Sequence, residues 1–479
     1  MERSCSDTEV KKLIAEALAP LLARIAELEA DNLRLRAENV ERKAEIARLK
    51  KNSSNSSKPP SSDIVKPPKP APLHGGKRKI GGQPGHEGHF RDPFPAEQID
   101  RVVPHALTTC PDCGGQLTPA KVPPRVVQQV ELAPRLVEVT EHRAGAFYCR
   151  HCDRIHYAPL PAPVEQGGLL GPELTALVGY LKGRCHTSFS TIRKLLRDVF
   201  HVTLSRGHLV KVINKAAAAM AHAYEALRAL LPEEAYLNVD ETGHQAHGQP
   251  WWTWCFRADL YTLFKIDHSR SSAVLVEMLG QEFDGVLGCD YFSAYHKYMK
   301  DFGVTVQFCL AHLIRDVKFL TELPDQVTAA YGQRVLEGLR QMFHVIHRRE
   351  TLAPARFQRA LEKAREELVA VGQRAPPRTE AQTMAQRFRE HGADYFRFIT
   401  TPGVAPTNNL AEQAIRFVVI DRLITQGTRG ERGRRWSERI WTAIATCTQQ
   451  GRSVFEYLRQ SIVASFANTP APSLLPTGA

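Results

Sequence analysis

Five strand-like segments follow one another between residues 234 and 310, and this run constrains the fold more than any other feature. They are AYLNVD (235–240), WWTWCFRAD (251–259), LYTLFKID (260–267), GVLGCD (285–290) and VTVQFCL (304–310). The long segments on either side carry the three-to-four-residue apolar period of helices. One sheet set in a largely helical chain predicts an α+β protein. At 479 residues it is also multidomain, because single hydrophobic cores stop growing at about 250–300 residues.

The first and fourth segments end in Asp240 and Asp290. If these strands are neighbours, both carboxylates meet at one edge and can hold Mg²⁺, which requires oxygen ligands. TNNLAEQAIRFVVIDR (407–422) supplies a third acid, Glu412, in the first turn of a helix. Leu410, Ala414, Ile415 and Val418 of that helix are expected to face the sheet. Each acid also has a plain structural reading. The aspartates suit strand-ending turns, and Asn409 with Glu412 suits a capping box. Glu241 points to the opposite face if its strand continues. Five strands and then a helix bearing the last carboxylate is the layout of an RNase H-like α/β catalytic domain. It is predicted over residues 231–310 and 400–455, with 311–399 as a helical insertion broken at Pro376.

Upstream, residues 1–50 read as one helix. Ile14, Leu21, Leu28, Leu35 and Leu49 recur at heptad spacing, interrupted by Arg42, beside a second stripe of Leu18, Ile25, Asn32, Asn39 and Ile46. That is a coiled-coil seam and predicts a homo-oligomer. Residues 51–105 form a basic Pro/Ser/Gly-rich linker that includes His86 and His89. Two CxxC knuckles, Cys110 with Cys113 and Cys149 with Cys152, predict a structural Zn²⁺ in a zinc ribbon over 106–160. VVQQVEL and RLVEVTEHRAGAFYC between them would be its strands. Residues 165–230 read as helical and helix-turn-helix-like. TIRKLLRDVF (191–200) precedes a helix capped by Ser205, with Arg206, His208 and Lys211 facing outward as candidate DNA contacts. Residues 456–479 read as a C-terminal tail.

A net charge of +12, from 63 Lys+Arg against 51 Asp+Glu, points to an anionic partner, nucleic acid first. His312 and Arg315 at the helix start after Cys309, Arg416, and the cluster Arg422, Arg429, Arg432, Arg434 and Arg435 are further candidate phosphate contacts. Trp251, Trp252 and Trp254 are expected to be core-facing strand aromatics. No stretch approaches the ~18–20 apolar residues of a membrane span. The first dozen residues are charged where a secretory signal is apolar, and ten cysteines suit a reduced chain. The cytoplasm is the expected location.

Several motifs occur in a fixed order: the Lys-Pro-Pro-Ser-Ser linker, GGQPGHEGH, the paired knuckles, VDET (239–242), CDYFSAY (289–295), CLAHLIRD (309–316) and NNLAEQAIR (408–416). Together the chain resembles bacterial insertion-sequence-66 family transposases over nearly its whole length. The resemblance implies a DDE triad on Asp240, Asp290 and Glu412, with two Mg²⁺ ions in catalysis. It also implies transposon-end and target DNA as substrates, and small accessory proteins of the same element as partners. The chain departs from the family pattern after Arg416, where it reads FVVIDRLITQGTRGERGRRW. The alternatives are a non-catalytic DNA-binding protein and a nuclease that cuts without joining.

Overall fold

A computed structural model describes residues 7–49, 92–105, 107, 111–114, 116, 125–130, 132 and 136–475, with the side chains of the first helix described from Leu18 onward. The expected linker contacts His86 and His89, and Cys110, lie outside the described residues. The chain divides into two compact units, Pro68–Arg143 and a larger one formed by Met1–Pro67 with Ala144–Ala479. The described residues of the smaller unit hold little regular structure; Gln128 bonds both backbone groups of Phe94 there.

Helix α1 (Asp7–Leu49) is continuous, with Pro20 inside it. Its seam residues Leu21, Leu28, Leu35 and Leu49 are 49–79% exposed. Its last turn touches the rest of the unit, where Arg48 Nε bonds Glu380 at 3.1 Å and Ala47 packs on the core. Strands β1 (Ala146–Cys149) and β2 (Arg154–Tyr157) form an antiparallel hairpin. Five helices follow: α2 (Ala162–Gly167), α3 (Pro172–Gly183), α4 (Phe189–Phe200), α5 (Arg206–Ala219) and α6 (Ala221–Leu230). Ser188 and Ser205 cap α4 and α5 by accepting from the Thr191 and His208 amides.

The sheet comprises β3 (Tyr236–Ala246), β4 (Gln249–Arg257), β5 (Thr262–Asp267), β6 (Val286–Cys289) and β7 (Thr305–Phe308), in the order β5-β4-β3-β6-β7. The first three are antiparallel, while β6 runs parallel to β3 and β7 parallel to β6. The parallel steps need crossovers, supplied by α7 (Ser272–Leu279) and α8 (Ser293–Phe302). β6 is wholly buried, as a parallel strand covered on both faces must be.

After β7 come α9 (Leu310–Thr321), α10 (Gln326–Ile346), α11 (Pro354–Gln373), α12 (Thr379–His391) and the single turn α13 (Arg397–Thr400). The Pro-Pro step at 376 lies between α11 and α12. α14 (Asn409–Thr425) then crosses β3 and β4, and α15 (Glu431–Gln449) covers the open edge at β5. Three side chains one turn apart on α15 take the edge amides of β5. Thr446 Oγ1 accepts from Thr262 at 3.2 Å, Thr442 Oγ1 from Phe264 at 3.1 Å and Glu438 Oε1 from Ile266 at 2.8 Å. An otherwise unpaired strand edge is thereby satisfied. Residues 456–479, read from the sequence as a tail, include most of α16 (Val454–Phe466). Tyr457, Leu458, Ile462 and Phe466 of α16 are buried, where the helix packs on α3 and α5. Helical layer, sheet and inserted helices share one apolar core.

Candidate active site

Parallel pairing of β3 with β6 runs through Tyr236↔Val286, Leu237↔Leu287 and Asn238↔Gly288. Asp240 and Asp290 each lie two residues past the last pair, so they stand level on adjacent chains. The sequence reading ended the first strand at Asp240. Instead β3 continues to Ala246 as a hairpin with β4, and Asp240 lies opposite Cys255. The turn residues His247 and Gly248 have φ of 53° and 74°, the left-handed pair that a two-residue hairpin uses. The close approach of β6 depends on Gly288. A Cβ there would lie 2.6 Å from Tyr236 Oη and 3.1 Å from Asn238 Oδ1.

Glu412 lies in the first turn of α14, a helix held to β3 at both ends. Before it, Asn408 Nδ2 donates to the Val239 carbonyl at 2.7 Å and the Asn408 amide donates to Cys309 Sγ at 3.2 Å. Beyond it, the Thr428 amide donates to Gln245 O at 2.9 Å, and the His247 amide to Thr428 O at 3.1 Å. The capping box does not form. Asn408 is the cap residue and its side chain makes no cap bond, while Glu412 Oε1 accepts from Arg315 Nη2 at 3.0 Å. The buried face of α14 is Ala411, Ile415, Val418 and Asp421, and Leu410 is exposed. Ile415 and Val418 face inward as expected and Ala414 is half-buried, while Ala411 rather than Leu410 completes the buried face.

The electrostatics follow from crowding. Burial pushes the Asp240 carboxyl well above its usual range, and the charges of Glu241, Asp290 and Glu412 push it further. Burial and then Glu241 raise Asp290 to about 8, against the opposing pull of Arg270. Glu241 lies opposite Trp254 in the ladder. Its carboxylate accepts from Arg270 at 3.0 and 2.7 Å and from the Tyr295 hydroxyl at 2.5 Å. Arg270 in turn stacks over Phe292, 3.9 Å from the ring centroid. Glu241 is thus occupied, whereas Asp240 and Asp290 remain partly accessible. Such an oxygen-only, like-charged donor set suits a hard divalent cation. His312 Nδ1 lies 3.6 Å from Glu412 Oε1. Burial, with Arg315 beside it, depresses His312 to about 3, so the imidazole is neutral and the contact is no ion pair.

Residues 167–435, more than half of the chain, match the family described as Transposase IS66 family. The chain belongs to the IS66 family of transposases. Residues 108–153 match the zinc-finger binding domain of transposase IS66, and residues 13–92 match a family of unknown function, DUF6444. A curated relative, Uncharacterized protein y4hP of Sinorhizobium fredii, is 29% identical over 154 residues. The match covers 32% of this chain and 27% of that protein's length.

The zinc-finger match supports a structural Zn²⁺ in this chain. Cys149 ends β1 and Cys152 lies in the turn that follows. Hydrogen bonds from Cys152 and then from the His151 amide lower the Cys149 thiol, and Cys152 Sγ is 3.4 Å from His156 Nε2. The thiol pair suits a thiophilic ion. Cys113 lies on an exposed turn in the smaller unit. Of the ribbon strands expected between the knuckles, Ala146–Cys149 forms; among the described residues, 126–130, 132 and 136–145 are not in strands.

Arg206 and Lys211 are exposed at the start of α5, and His208 is half-buried. Arg416 is exposed on α14, and Arg315 rather than Arg416 pairs with Glu412. The expected arginine cluster divides. Arg429 and Arg432 are exposed, Arg422 bonds Thr242 Oγ1 at 3.3 Å and Arg434 stacks over Trp251 at 4.3 Å. Arg435 is held by Glu438 at 3.4 Å and Glu431 at 3.9 Å. Trp254 is fully buried, while Trp251 and Trp252 are half-buried beneath arginines. Asn408, Arg270 and Tyr295 were not singled out from the sequence. Each lies in or next to a segment of notable composition, but their partners are 54 to 169 residues away for Tyr295 and Asn408, beyond any local pattern.

Proposed function

We propose that this protein is a DNA transposase that cleaves at transposon ends and joins the freed 3′-hydroxyl to target DNA. The observation that carries this reading is that Asp240 and Asp290 each follow the last β3–β6 pair by two residues and that Asp240 feels the charges of Asp290 and of Glu412, whose helix is tied to β3. The strand order, with two parallel strands added to an antiparallel three, supports an RNase H-like catalytic domain with the helices α9–α13 as its insertion.

Asp240, Asp290 and Glu412 would hold Mg²⁺, which when bound activates water and neutralises charge on the phosphodiester oxygens. Asp240 feels both other acids and would be the ligand shared between the ions. Arg315 orients the Glu412 carboxylate, and Asn408 fixes the start of its helix against the carbonyl preceding Asp240. Arg270 and Tyr295 occupy the Glu241 carboxylate with hydrogen bonds. Cys110, Cys113, Cys149 and Cys152 would hold the structural Zn²⁺. Exposed Arg416, Arg429 and Arg432 suit DNA phosphates, whereas His312, 7% exposed and neutral, is too buried for such a contact. Arg206, His208 and Lys211 suit a second contact through the α4–α5 pair. The exposed seam of α1 suits a parallel copy of itself, and small proteins of the same element are the accessory partners.

The test is incubation of the full-length protein with labelled element ends, Mg²⁺ and a target plasmid. Joined products support the proposal. Free cuts without joining indicate a nuclease, and bound but unreacted DNA indicates a non-catalytic binder.

A further inference from the structure

Cys309, His312 and Glu412 bring one ligand atom each within 4.8 Å of the others. Cys309 is the cap residue of α9 and His312 lies in its first turn, so a C-x-x-H pair faces the carboxylate of α14. A thiol and an imidazole are poor ligands for Mg²⁺ but good ones for Zn²⁺ and related ions. Two further observations point to a ligand. His312 is only 7% exposed, and its Nδ1, the nitrogen 3.6 Å from Glu412 Oε1, has no hydrogen-bond partner. Buried polar atoms are rarely left so. The Asn408 amide already donates to Cys309 Sγ, which would stabilise a thiolate bound to a metal.

We propose that Cys309, His312 and Glu412 form a second metal site for a thiophilic divalent cation of the Zn²⁺ class, leaving one position open. On binding, the Cys309 thiol releases its proton to solvent. Because Glu412 is shared, occupancy withdraws it from the magnesium triad and inhibits strand transfer. This regulatory role rests on the assignment of Glu412 to that triad; the binding itself does not.

Cobalt(II) titration of the full-length protein, with its ribbon zinc retained as checked by metal analysis, tests the site. One further equivalent should bind and give a thiolate-to-cobalt charge-transfer band. The band should vanish in Cys309→Ser, and binding should weaken by at least about tenfold in His312→Asn and in Glu412→Gln. A wild type without the band, or a band that survives Cys309→Ser, overturns the proposal. In the strand-transfer assay at fixed Mg²⁺, added Zn²⁺ should inhibit the wild type at least about tenfold more strongly than Cys309→Ser; equal inhibition overturns the regulatory role. Absence of strand transfer under all conditions would sink the transposase reading while leaving the cobalt result intact.

Discussion

The side-chain amide of Asn408 donates to the Val239 carbonyl at 2.7 Å across 169 residues of sequence. It links the residue before Asp240 to the cap of the helix that carries Glu412. Asn408→Ala should lower stability by about 1–3 kcal/mol, because a buried carbonyl loses its partner. It should also cut strand transfer by about a hundredfold, the effect of misplacing a reacting group by about 1 Å. The Mg²⁺ concentration for half-maximal activity should rise, which a purely structural role would not produce.

Gly288 is the point where β6 comes against β3. Gly288→Ala places a methyl group against the Tyr236 hydroxyl and should destabilise by about 1–3 kcal/mol in urea denaturation. Adding Tyr236→Phe removes the oxygen that clashes. The double variant should therefore recover part of the loss, a non-additivity read directly from the cycle.

The charges of Glu241, Asp290 and Glu412 all bear on Asp240. Without metal, Asp240→Asn relieves repulsion and should raise stability by about 1 kcal/mol while abolishing joining. Mg²⁺ should raise the Tm of the wild type and leave that of Asp240→Asn nearly unchanged.

His244 is 3% exposed, with Nε2 3.0 Å from Thr428 Oγ1 and Nδ1 3.3 Å from Thr253 Oγ1. Burial, and then the charges of Arg422 and Arg434, lower it to about 4. Protonation therefore favours the unfolded chain. The neutral ring contributes fully above the ordinary histidine value near 6.5, and that contribution is lost as pH falls toward 4. Between pH 7 and pH 4.5 the wild type should lose about 2 kcal/mol more than His244→Gln, measured by denaturant titration at both pH values.

Local pattern went far where one segment decides the outcome. The five strands were legible because apolar, β-branched and aromatic residues cluster there, and Ser205 was legible as a cap. The end of β3 was not. Glu241 to Gln245 look too polar for a strand, yet α14, α15 and Thr428 cover them from distant parts of the chain. The same limit applies to the tail. Its helix is buried only because α3 and α5 meet it. Strand ends and a helix start point from sequence to Asp240, Asp290 and Glu412, which lie within β3, just after β6 and in the first turn of α14. Arg270, Tyr295 and the division of the arginine cluster depend on three-dimensional partners that no spacing encodes.

Glu412 is the acid whose position depends most on contacts made at a distance. Strand transfer by wild type and Glu412→Gln, on labelled ends with Mg²⁺, measures whether it belongs with Asp240 and Asp290. Joined product from the Gln variant should fall more than about a hundredfold, with DNA binding retained. Joining at the wild-type rate by Glu412→Gln would contradict the account.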